Sequence, residues 1–272
     1  MLSFDRSIEP PARASGAGTA VILAVAVLFS IIPFGPGFGA WAAFACGLLV
    51  LGALLGRQIH AFLPAFLAFL ITALPLLHPV FSRWPWRLLV PVLFSLAMVL
   101  SVPRLRPSLL WMRPGRIDRD SLLIAIVIAC GSAVALVLWQ RLTLPDLAMH
   151  LRSFPAMPLW LFPLAGLGFS LGNAAVEEFV FRGVYLQAFD SVLGAGWASV
   201  LLQAWLFGAM HYLQGFPNGL PGVLLAGLYG LLLGILRRRT RGMAAPWLTH
   251  AGADLVIFVI LALQLAGKGS GS

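Results

Sequence analysis

Glu177, Glu178 and Arg182 stand inside the stretch "NAAVEEFVFRGVYLQ" (173–187), which otherwise reads as the interior of a membrane helix. His211 follows in "FGAMH", and His250 and Asp254 close "HAGAD". Such groups support general acid–base chemistry: a carboxylate can take a proton from water, and an imidazole can hold that water or donate to a developing oxyanion. Each charge at the centre of a spanning helix costs roughly 2.5 to 3.5 kcal/mol on insertion scales. A chain with no use for them could carry leucine instead.

The spacings assign partners. Glu178 and Arg182 are i and i+4, so the arginine can neutralise that glutamate. Glu177 is turned about 100° from its neighbour, and no cation stands at i±4, where Asn173 and Phe181 lie. His250 and Asp254 are again i and i+4, close enough for the carboxylate to hold the ring, and Phe207 and His211 repeat the interval. Gly194 to Gly196 form the expected turn between two helices. Glu177 lies 17 residues before Gly194 and His211 lies 17 after it, so an antiparallel hairpin brings the two to equal depth, up to roughly 25 Å from the turn.

Each residue alone has a plain structural reading: a helix-stabilising ion pair for Glu178 and Arg182, an interior hydrogen bond for His211, an interhelical clamp for His250 with Asp254. Glu177 has the weakest such reading. Two histidines and three carboxylates on three neighbouring hydrophobic segments are better explained by a functional site than by glue.

The elements that carry them belong to a membrane protein. The chain has 272 residues, of which 60% are hydrophobic and only 10% charged, with a mean hydropathy of +0.96. Soluble domains are nearer 25% charged. The expected fold is all-α, a polytopic transmembrane helical bundle of about eight or nine spans. Nine segments of suitable character occur at 17–34, 38–56, 60–79, 87–103, 121–140, 156–185, 194–212, 220–236 and 244–266, most joints being marked by Pro and Gly. Thirteen of the 18 basic residues fall on segments that would be inside with a cytoplasmic N-terminus, and five fall outside. That bias predicts nine spans with the C-terminus outside.

A net charge of +9 distributed in this way reads as a topology signal and not as a nucleic-acid surface, so no nucleic-acid partner is expected. Cys46 and Cys130 match no metal or disulfide spacing and are read as small core residues. The first apolar segment lacks a cleavage site and is read as a retained helix. The chain divides into motif-free helices over 1–150, a core holding the chemistry over 151–266, and "GKGSGS" at 267–272, which has the composition of an added linker and holds the only lysine, Lys268.

"EEFVFR", "FGAMH" and "HAGAD" resemble, in order and on consecutive hydrophobic segments, the EExxxR, FxxxH and HxxxN/D motifs of the CAAX-protease and bacteriocin-processing family, also called Abi. The resemblance covers about residues 155–266. It implies an intramembrane endopeptidase of glutamate type that cleaves a membrane-anchored protein or peptide near its terminus. By the same resemblance Glu177 is the general base, His211 helps hold the water, Glu178 and Arg182 are a supporting pair with Phe207, and His250 with Asp254 stabilise the oxyanion. The prenyl-protein proteases typically have asparagine at the last place. Ionised aspartate cannot donate a hydrogen bond, so Asp254 is expected to orient His250 as a charged donor.

No cofactor is expected. One Glu, two His and one Asp could alternatively bind zinc, although no HExxH is present. A transporter, or a non-catalytic scaffold or immunity protein, are the readings from other classes. The arginine-rich, lysine-poor body points to a GC-rich bacterial source and a multi-pass protein of the inner membrane. Substrates are then sorting tails or membrane-anchored peptides more readily than prenylated proteins.

Overall fold

A computed structural model describes residues 13–152 and 157–269. Nine long helices occur among the described residues: α1 (Gly16–Ile31), α2 (Gly39–Leu55), α3 (Ile59–Leu77), α4 (Trp86–Ser101), α5 (Arg119–Thr143), α6 (162–193), α7 (Trp197–Gln214), α8 (Gly219–Thr240) and α9 (Ala244–Gly269). Among the same residues there is no strand, as expected of an all-α chain. Five of these helical stretches are long and apolar enough to cross a membrane: Gly16–Phe34, α3, α5, α8 and Ala244–Ala266. α2 and α4 are shorter apolar helices. Leu55, Leu142, Trp41 and Leu224 are among many large apolar side chains left outside the bundle, as a lipid-facing surface requires.

Local chemistry sets the boundaries. Ser15 caps α1 by accepting from the Gly18 N–H at 3.1 Å, and Asp118 caps α5 by accepting from the Ser121 N–H at 2.7 Å. That backbone donor holds the Asp118 carboxyl below the usual carboxylate range. α6 departs from the expected 156–185: Pro163 suits the first turn, so the helix starts at Phe162 and runs to Leu193. Residues 153–156 lie outside the described ones. Gly194, at φ +80, then makes the reversal into α7 that a side chain would strain. The 32-residue α6 is about 48 Å long.

One further expectation needs correction. Cys130 is exposed while Cys46 is buried, because α5 turns Val127, Cys130 and Val134 outward on one face. The final helix takes in the first three residues of "GKGSGS", and residues 270–272 lie outside the described ones.

The pairings bring together the parts that hold the polar residues. α9 packs along α6 and α5, and α7 packs along α8. The α7–α8 contact is close because glycines face it: a Cβ on Gly208 would come within 2.5 Å of the Val223 carbonyl. The second half of α6 buries Phe181, Tyr185 and Phe189 with Phe29 of α1, Phe62 of α3 and Phe207 of α7 in the main core.

Helix ends assigned to one side by the charge count do meet at one end of the bundle. There the Ala14 N–H bonds the Ser191 carbonyl at 3.0 Å, Ser15 bonds Gln58, and Arg238 pairs with Asp190. The α4–α5 and α8–α9 loops are joined there by backbone bonds from Arg116 N–H to Thr240 O, Met243 N–H to Arg113 O and Ala244 N–H to Pro114 O, at 2.8 to 3.1 Å. At the other end Phe34 packs on Tyr212 and His150 bonds the Gly215 carbonyl.

Candidate active site

α6 changes its winding where the polar residues begin. Phe162–Glu178 is regular α-helix, Phe179–Tyr185 is a π-helical segment with all seven residues buried, and α-helix resumes at Leu186. Such wide turns are rare and favour functional sites. Glu178 and Arg182 meet across the junction at 2.8 Å, with both side chains almost wholly buried. The Arg182 guanidinium lies 4.3 Å from the centroid of the Phe207 ring, a cation–π contact that gives the FxxxH phenylalanine a task. Phe207 also packs against Phe181 at 5.0 Å and His211 at 4.7 Å.

His250 stands in the middle of the acids. Its Nδ1 is 2.8 Å from Glu178 Oε1, the oxygen that also accepts from Arg182. Its Nε2 is 3.6 Å from Glu177 Oε2 and 3.8 Å from Asp254 Oδ1, both beyond hydrogen-bond distance. Phe207 and Tyr229 enclose the ring, at centroid distances of 5.8 and 5.5 Å. The i,i+4 pairing expected to hold His250 through Asp254 is therefore not its closest contact: Glu178, on another helix, has that place.

His211 bonds the Phe207 carbonyl through Nδ1 at 2.8 Å. A carbonyl can only accept, so Nδ1 carries a proton and Nε2 is left for a ligand. Glu177 and His211 line one cavity of about 990 Å³ together with His250, Asp254 and Asn173. The hairpin about Gly194 thus brings the glutamate and the histidine to a common space. Glu178 and Arg182 do not line it and sit behind His250. The rest of the wall is largely apolar and comes mainly from α4, α5, α6, α8 and α9, including Leu88, Ile128, Phe169, Leu225 and Ile257.

Sequence reasoning missed Asn173. Its Nδ2 donates to Glu177 Oε1 at 3.1 Å and to Asp254 Oδ2 at 3.0 Å. Its Oδ1 accepts from the Trp84 indole N–H at 2.8 Å. A local signal existed, since an amide at i−4 can bond a glutamate. The partners on α9 and in the α3–α4 loop left no trace in spacing.

Among the described residues no three His, Cys, Asp or Glu side chains are grouped so as to hold a metal ion. The arrangement can place a base (Glu177) and an open imidazole nitrogen (His211) on one cavity, with a second imidazole braced by a buried ion pair beside them.

Residues 158–256 match the family described as Type II CAAX prenyl endopeptidase Rce1-like, the kinship that the three motifs resemble. No curated protein and no solved structure matches the chain.

Proposed function

We propose that this chain is an intramembrane endopeptidase in which Glu177 activates the attacking water, a reading supported by the match of residues 158–256 to the Rce1-like CAAX endopeptidase family. The carrying observation is the convergence of Glu177, His211, His250 and Asp254 on one cavity within an apolar helical bundle. Four such groups on three helices are costly in lipid and gain their use together.

The steps follow from acceptor and donor roles. Water between Glu177 and the Nε2 of His211 attacks the peptide carbonyl carbon, and the Glu177 carboxylate takes its proton. The carbonyl electron pair moves to oxygen, and the resulting oxyanion accepts from Nε2–H of a doubly protonated His250. Glu178 accepts from Nδ1 of the same ring and fixes its direction, while Arg182 and Phe207 hold Glu178. As the C–N bond breaks, Glu177 returns its proton to the leaving nitrogen. Asp254, 3.8 Å from Nε2, adds negative charge beside the imidazolium. The apolar walls suit a substrate that arrives from the bilayer, so a membrane-anchored peptide or protein is the proposed partner. No cofactor enters these steps.

The test is cleavage of a tagged single-span substrate by pure protein in liposomes, with fragments read by mass. Wild type should release a defined fragment and Glu177→Gln should release none. A transporter or scaffold would leave the substrate whole in both.

A further inference from the structure

Trp84 lies outside the family-matched segment, on the short loop that connects α3 to α4, yet it reaches the centre of the site. Its indole N–H can only donate, so the bond of 2.8 Å to Asn173 fixes which end of the amide is oxygen. The NH₂ end must then face α9 and the cavity, where its two protons go to Glu177 Oε1 at 3.1 Å and Asp254 Oδ2 at 3.0 Å. Both amide donors are used. The Trp84 ring is braced in turn by Phe169, at a centroid distance of 5.1 Å, and Trp84, Phe169 and Asn173 all line the cavity.

On this geometry, and resting on the proteolytic reading, we propose that Asn173 is a positioning residue for the general base and that Trp84 sets its orientation. No arginine or lysine pairs with Glu177 among the described residues, and the His250 ring, 3.6 Å away, is beyond hydrogen-bond distance. A carboxylate side chain with three rotatable bonds and a nearby second carboxylate would swing away from Asp254 unless something held it. The amide does so by donating to both acids at once. It separates them by a fixed span while leaving Glu177 Oε2 turned toward His250, 3.6 Å from Nε2. The indole stops the amide from rotating its oxygen toward the two carboxylates. Trp84 is half exposed (47%) and lines the cavity.

The inference separates cleanly from a packing role. Steady-state cleavage by the full chain in liposomes should show kcat for Asn173→Ala lower by about 10- to 100-fold, the scale of a misplaced catalytic group, with KM within about twofold. Trp84→Phe keeps a ring against Phe169 and removes only the donor. It should lower kcat by a smaller factor, and the double variant should be no worse than Asn173→Ala, because both changes act through one bond. Thermal unfolding in detergent should stay at the wild-type midpoint for Trp84→Phe. Unchanged kcat in Asn173→Ala, or fully multiplicative losses in the double variant, would overturn the positioning role while wild-type cleavage stands. A wild type that cleaves no single-span substrate would overturn the proteolytic reading and this inference with it.

Discussion

His250 bonds Glu178 through Nδ1 at 2.8 Å, while the nearest oxygen of Asp254 is 3.8 Å from Nε2. The second glutamate of the EE pair is thus tied to two motifs at once, since the same Oε1 takes the Arg182 donor. What looks in sequence like a local helix salt bridge is the support for a ring on another helix.

That arrangement separates two kinds of loss at the first motif. Arg182→Ala would leave the Glu178 charge buried and facing only His250, at a cost of about 3 to 5 kcal/mol. The expected outcome is poor yield and a lower unfolding midpoint in detergent, together with lost cleavage. Glu177→Ala should express and unfold like wild type and cleave nothing. Equal damage to expression in both variants would make Glu177 a structural residue.

Glu178 and His250 should behave as one unit. Glu178→Gln keeps the shape but removes the charge that faces Nδ1, and His250→Ala removes the ring. The losses in cleavage rate should fail to multiply in the double variant, which should be about as slow as His250→Ala alone. Independent losses would mean that the 2.8 Å contact does not serve the reaction.

Asp254 offers a graded test. Asp254→Asn preserves the shape and can still meet Asn173 with its own oxygen, so partial activity is expected. Asp254→Ala removes the acceptor for Asn173 and the charge beside His250. If its removal costs the equivalent of one oxyanion donor, the rate falls by about 10²- to 10³-fold. Full activity in Asp254→Ala would take the third motif's acid out of the mechanism.

Metal dependence can be tested apart from the base. With Glu177 activating water, strong chelators should leave cleavage by the pure protein intact, and elemental analysis should find no stoichiometric metal. An ion within about 2.3 Å of His211 and a carboxylate oxygen would replace the glutamate mechanism with a metal-assisted one.

Much of the site was legible because its local pairs repeat the helical interval. The Glu178–Arg182 bond follows directly from i,i+4 spacing, and the meeting of Glu177 and His211 on one cavity follows from equal distances to Gly194, where φ is +80. The partner of His250 was not legible in the same way. Asp254 is four residues away in sequence but lies farther from the ring than Glu178, which is 72 residues away and approaches from α6. Spacing within one helix cannot rank a partner on the next. Trp84 was hidden for the same reason: its neighbours in the chain are an exposed arginine and a proline, and nothing near it announces a bond to Asn173. The start of α6 and the outward face of Cys130 depended on how helices pack, which hydropathy alone does not resolve.

The backbone clasp between the α4–α5 and α8–α9 loops acts as a depth stop for α9. From Ala251 to Leu263 that helix has only Asp254 as a polar side chain, so lipid alone gives it little reason to rest at one height. A slide by a single residue would carry His250 about 1.5 Å along the axis, enough to break its bond to Glu178. The clasp prevents this from Ala244, six residues and about 9 Å along the axis from His250. It closes only because Gly242 lies against Gly115: a Cβ at position 242 would come within 2.1 Å of the Gly115 backbone. Residues 158–256 contain every motif, yet expressed alone they would have lost both this stop and the Trp84 brace. The motif-free helices hold the motif-bearing ones in register.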